Sequence, residues 1–151
     1  MNKKLAIIVP TCSYNAPDDK IQEQHLFKIF FDSLLNSCPE MDIKIYLGYN
    51  DDDKVYTNFD NRLLIQAIAI EHKNISFEWY EFDDKYKGKP THIWNALSRY
   101  AIVDGYEYHY VCGDDISFPK DQSWAACMIN RLKKMIILEY VQEIVVIQIY
   151  L

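Results

Sequence analysis

Apolar, β-branched runs alternate along this 151-residue chain with segments whose apolar residues recur at helical spacing, and that alternation constrains the fold most. Leu5–Pro10 is a continuous apolar run, the pattern of a strand buried on both faces. Asp18 or Asp19 is placed to cap a helix with Ile21, Leu26, Ile29, Phe30 and Leu34 on one face, and Pro39 marks its end. A second strand is predicted over Asp42–Tyr49 and a helix over Asp60–Glu71. A third strand follows over Ile75–Phe82, then a short helix opening at Thr91 that carries Ile93, Trp94, Leu97 and Ala101. The fourth strand is predicted over Glu107–Cys112, and a helix with Trp124, Met128 and Leu132 after Asp121. Such alternation implies βαβ units and one α/β domain, residues 1–151, around a mostly parallel sheet.

In such sheets ligands bind at the carboxyl ends of the strands, beside helix N-termini. The polar clusters of this chain fall there: Thr11–Asn15, Asn50–Asp53, Asp83–Lys89 and Asp114-Asp115 each follow a predicted strand. Half the residues are hydrophobic and a quarter charged, which excludes a disordered chain. The net charge of −6 gives no footprint for nucleic acid. The N-terminal apolar run is too short for a membrane span and lacks a signal-peptide cleavage site. Glu139, Gln142, Glu143 and Gln148 interrupt the apolar tail of residues 135–151, so no membrane span is expected there. That tail reads either as a long helix or as a helix followed by a strand. Cys12, Cys38, Cys112 and Cys127 are scattered without a Cys-x-x-Cys pair and read as buried thiols of a cytoplasmic protein.

Asp114 and Asp115 carry the chemistry. Two adjacent carboxylates at the end of a core strand repel each other unless a cation neutralises them. Hard oxygen ligands suit Mg²⁺ or Mn²⁺, which also take waters and phosphate oxygens. Side chains adjacent on an extended backbone point opposite ways, so one carboxylate on the metal and one on a ribose hydroxyl is the natural division. Gly113-Asp114-Asp115 is also ordinary turn chemistry, and Asp51-Asp52-Asp53 an ordinary solvated loop. Lys85, Lys87 and Lys89 can offset phosphate charge or simply cover surface; Lys89 is best placed, before Pro90-Thr91 at a helix start. Trp94 and Trp124 lie at core spacing, and the histidines receive no role.

Lys4–Thr11 with Tyr14-Asn15 resembles the opening strand of nucleotide-sugar glycosyltransferases of the GT-A fold, which borders the nucleotide. Asp51–Asp53 is similar to that family's acidic residue after the second strand, Lys89 with Thr91 and Asn95 to its basic and Asn pattern, and Val111–Ile116 to its metal motif. The resemblance covers roughly Lys4–Leu132 and extends to small virus-encoded enzymes of this kind. It implies a Rossmann-like three-layer sandwich, shortened at the C-terminus, and a metal-dependent hexosyltransferase. Its donor would be a UDP- or GDP-sugar and its acceptor a glycan or protein hydroxyl. It also implies nucleotide-sugar contacts from Pro10, Thr11, Asn15, Asp51, Asp52, Lys89 and Asp114, and a metal ligand in Asp115. No catalytic base is identified; Glu139 and Glu143 do not match the setting of one. The rival readings are a nucleotide-sugar-binding module without turnover, a metal-dependent nucleotidyltransferase and a structural interaction protein. The second of these lacks the expected Gly-rich loop, since Gly48, Gly88, Gly105 and Gly113 are isolated.

Overall fold

The computed structural model describes residues 4–13 and 20–136. Four strands, β1 (Lys4–Pro10), β2 (Asp42–Asn50), β3 (Ile75–Phe82) and β4 (Tyr108–Val111), form one parallel sheet in the order β3-β2-β1-β4. Their registers run from Lys4 opposite Asp42 to Pro10 opposite Gly48, from Leu5 opposite Tyr108 to Ile8 opposite Val111, and from Ile43 opposite Ile75 to Asn50 opposite Phe82. The α/β architecture with an all-parallel sheet is Rossmann-like.

Alternation along the central strand builds two cores. Leu5, Ile7 and Val9 face a layer made by α1 (Asp32–Ser37), α2 (Phe59–Ile70) and α4 (Trp124–Ile136); Ala6 and Ile8 face α3 (Pro90–Val103). Leu5 to Val9 have no exposed surface, so β1 is buried on both sides as its unbroken apolar run requires. Each of the larger side chains in that run contributes about 1.5–3 kcal/mol by leaving water. Gly48 is needed for the second core. A Cβ there would stand 2.5 Å from Ile93 Cγ2 and 3.0 Å from Leu97 Cδ1, so its absence lets α3 lie close to β2.

The first helical region departs from the regular helix predicted. It is a short 3₁₀ turn (Ile21–Glu23), a π-helical stretch (Leu26–Phe31) and then α1. Phe30 and Phe31 are both buried in this wider turn, Phe30 edge-on to Phe118 and Phe31 edge-on to Phe77. Cys38 closes α1 with a φ of 43°, and Pro39 stops it as expected. The fourth strand is shorter than predicted, and α3 begins one residue earlier, with Pro90 in its first turn. Asp18, Asp19 and the tail with Glu139, Glu143 and the strand-like residues 145–150 lie outside the described residues, and with them the expected C-terminal shortening. Among the described residues no helix is long and apolar enough to cross a membrane.

At the amino half of the sheet, Lys44 reaches Asp104 at 2.5 Å and Glu78 at 2.6 Å, and the Tyr46 hydroxyl donates to Asp104 at 2.6 Å. Burial alone would lower the Lys44 ammonium pKa, but its bonds to Asp104 and Glu78 outweigh that and raise it. The hydrogen bonds from Lys44 and then Tyr46 hold the Asp104 carboxyl below its ordinary value.

Candidate functional site

The chain leaves β1 toward β2 on one side and later returns to place β4 on the other. The carboxyl ends of β1 and β4 therefore flank the topological switch point, where open α/β sheets take their ligands. Thr11 and Asp114 meet there. Thr11 is buried, its N–H donates to the Gly48 carbonyl at 2.8 Å, and its hydroxyl donates to Asp114 Oδ2 at 2.5 Å.

The neighbouring loops are built to hold this pair. Asp53 is wholly buried and accepts from the Ser13 N–H at 2.7 Å, the Ser13 hydroxyl at 2.8 Å, and the Val55 and Tyr56 N–H groups at 3.0 and 3.1 Å. It fastens the segment after β1 to the loop after β2. The Trp94 indole N–H donates to the Cys112 carbonyl at 3.2 Å, just before the Asp114 turn. Beyond the turn, the Phe118 N–H donates to the Ser33 hydroxyl and the Trp124 indole N–H to the Ser37 hydroxyl, tying the segment to α1. Trp94 and Trp124 thus pack as expected and also fix the backbone on either side of the acidic pair.

Asp114 is half-buried and Asp115 exposed. A Cβ on Gly113 would fall 2.7 Å from Asp115 Oδ1, so the glycine makes the space that the Asp115 carboxylate occupies. Burial raises the Asp114 carboxyl above its ordinary value and repulsion from Asp115 adds to this, while the Thr11 hydrogen bond and the charge of His25 act the other way. Tyr56 is wholly buried, and its hydroxyl lies near Thr11 without a hydrogen bond of good geometry among the described residues. Burial raises that phenol pKa, with Asp114 and Asp53 contributing.

The other predicted residues stand around this centre. Pro10 ends β1, and Asn15 lies outside the described residues. Asp51 is exposed, and its N–H donates to the Phe82 carbonyl. Asp52 pairs with Lys87 at 2.6 Å and Asp83 with Lys85 at 3.1 Å, so these two lysines answer nearby aspartates. Lys89 precedes α3 and donates to the Lys85 carbonyl at 3.0 Å. The structure joins Thr11 to Asp114 and leaves Asp51, Asp52 and Lys89 on the flanking loops. The cysteines form no disulfide, but only Cys112 is buried; Cys12, Cys38 and Cys127 are exposed, which corrects the expectation of buried thiols. They sit in loop, cap and helix-surface positions, where no core surrounds them.

Sequence reasoning missed Asp53 as the clamp, and Ser13, Tyr56 and His25. Asp53 carries a readable signal, an aspartate two and three residues ahead of the N–H groups it caps. His25 and Tyr56 come near Asp114 only through the fold. Among the described residues no three His, Cys, Asp or Glu side chains gather as a metal cage. Asp115 is the exposed carboxylate of the pair, and one carboxylate completed by substrate phosphates and waters is among the ways that Mg²⁺ is held in proteins. A separate open cleft of about 320 Å³ lies at the opposite end of the sheet, between the end of α2 and the start of β3. It is remote from the acidic pair and lacks carboxylates. No known family, no curated protein and no solved structure matches this chain.

Proposed function

We propose that the carboxyl edge between β1 and β4 binds a nucleoside-diphosphate sugar, and that the protein is a GT-A-type glycosyltransferase acting on a glycan or protein hydroxyl. The observation that carries this reading is the Thr11–Asp114 hydrogen bond across the switch point, beside an exposed Asp115. Asp114 is positioned to accept from a ribose hydroxyl, and Asp51 or Asp52 from the base. Lys89 at the start of α3 supplies positive charge for the diphosphate, reinforced by the helix N-terminus. Asp115 would hold Mg²⁺ or Mn²⁺, which when bound neutralises the developing diphosphate charge. In the transfer, the bond between the anomeric carbon and the diphosphate oxygen breaks. The nucleoside diphosphate leaves with the electron pair, the acceptor oxygen bonds to the sugar, and its proton passes to solvent.

A second reading, donor binding without turnover, is favoured by how the edge carboxylates are engaged. Asp53 is consumed by the loop clamp, and Asp114, Asp115 and one of Asp51 and Asp52 are taken up by the donor in the reading above. The test is release of UDP or GDP from its sugar conjugate with Mn²⁺ and mixed glycan acceptors. Release that depends on Asp115 supports transfer. Tight donor binding without release selects the binding module, and absence of both removes the proposal.

A further inference from the structure

The buried hydroxyl of Tyr56, beside the acidic pair, has no role in the donor contacts named so far. Tyr56 has no exposed surface, and its hydroxyl has no hydrogen-bond partner among the described residues. Leaving a buried hydroxyl unbonded costs free energy, and each such group in a folded protein calls for an explanation. The residue is held firmly. Its N–H donates to Asp53 Oδ1 at 3.1 Å, and its carbonyl accepts from Arg62 at 3.0 Å. Its ring packs on Tyr49 and Trp79, with centroids 6.4 and 6.0 Å away. The hydroxyl is thereby kept next to Thr11. The acceptors around it differ in capacity. Asp53 already takes four donors, the Ser13 N–H and hydroxyl and the Val55 and Tyr56 N–H groups, which fill its two oxygens. The Thr11 hydroxyl gives its one proton to Asp114 and has two lone pairs to accept with.

Resting on the donor site proposed above, we propose that Tyr56 is a positioning residue for the nucleoside. On donor binding its hydroxyl donates to Thr11 Oγ1, completing a chain Tyr56–Thr11–Asp114 that fixes the Asp114 carboxylate for a ribose hydroxyl. In the free protein the phenol and Thr11 stand side by side without that bond. A ligand on Asp114 that draws the two together gains a hydrogen bond the free state lacks, and a contact made in only one state adds its whole free energy to the preference for that state. Burial and the chain itself strengthen each member, since hydrogen bonds in series polarise one another in a low-dielectric setting. Tyr56 touches no donor atom; it acts through Thr11.

Isothermal titration calorimetry of the full chain decides this, with UDP and GDP in the presence of Mn²⁺, with their 2′,3′-dideoxy analogues, and alongside thermal melts. Tyr56→Phe removes only the hydroxyl oxygen. Its melting temperature is expected to equal or exceed that of the unaltered chain, because the free protein loses no bond. Its affinity for the ribonucleotide is expected to fall about tenfold. Affinity for the dideoxy analogue, which offers Asp114 no hydroxyl, should stay the same. In a Thr11→Val background the Tyr56→Phe change should add nothing, since the chain is already cut. Equal loss for both kinds of nucleotide would make Tyr56 a pocket wall only and overturn the proposal. Unchanged affinity for the ribonucleotide would overturn it while leaving the donor site standing. A lower melting temperature would mean that the hydroxyl is already bonded in the free protein, and would overturn it too. An unaltered chain that binds neither nucleotide would remove the donor site, and the role of Tyr56 with it.

Discussion

The two ends of the sheet handle charge in opposite ways. At the amino half, Lys44 pairs with Asp104 and Glu78, and the Tyr46 hydroxyl donates to Asp104, so each charge meets a partner. At the carboxyl edge, Asp114 and Asp115 stand side by side, and among the described residues neither forms a salt bridge; a threonine hydroxyl is the main partner of Asp114. The shifts follow: the Asp104 carboxyl is pulled down by its bonds to Lys44 and Tyr46, whereas that of Asp114 is pushed up by burial and by Asp115. A compensated cluster fastens α3 to the sheet. An uncompensated one leaves charge to be answered from outside, which is the physical content of a ligand site.

Asp53 gives the severest challenge to that contrast, because it lies at the carboxyl edge and is nevertheless fully engaged. Asp53→Ala should orphan four donors and destabilise the fold by about 3–5 kcal/mol in urea denaturation, the scale for a buried, multiply bonded carboxylate. A loss below ~1 kcal/mol would mean that the loops do not depend on this clamp. Gly48→Ala comes next: the added Cβ meets Ile93 and should cost about 1–3 kcal/mol by overpacking, seen as a lower urea midpoint.

The acidic pair should behave otherwise. Asp114→Asn retains an acceptor for Thr11 and removes a charge that burial disfavours, so the melting temperature at pH 7 should not fall, while donor affinity drops by about tenfold or more. Thermal melts and donor titration of one preparation check both. The smallest effects are in pH dependence. Asp104, with its depressed pKa, gives stability that is complete above the unfolded value and is lost as pH falls through its folded value. Asp114, with its raised pKa, does the reverse, and stability declines as pH rises from the unfolded to the folded value. Melting curves of Asp104→Asn should therefore lose up to about 1 kcal/mol near neutrality and less in acid, a small figure because the pair is partly exposed. Asp114→Asn should flatten the opposite slope.

Much of the fold is legible in the residues. The unbroken Leu5–Val9 run announces a strand buried on both faces, and the third strand is found at its predicted bounds, Ile75–Phe82. The first helix is less legible, because the spacing of Leu26, Phe30 and Leu34 suits a regular helix while burying both Phe30 and Phe31 goes with a π turn. Of the site, the placement of Asp114-Asp115 after a core strand was readable from pattern alone. The partnership with Thr11 was not, since it depends on β4 crossing over to lie beside β1. The three aspartates after β2 look alike in sequence. Only the turn geometry buries Asp53 and leaves Asp51 in water.

Nuclear magnetic resonance of the labelled chain, titrated with Mn²⁺ in the presence of UDP- or GDP-sugar, tests the site directly. Paramagnetic broadening should appear first at the amides of Thr11–Ser13 and Gly113–Asp115 and should disappear in Asp115→Asn. Broadening that begins at the Asp83-Asp84 loop or at the α2–β3 cleft, or that survives the substitution, would contradict a donor site at the β1–β4 switch point.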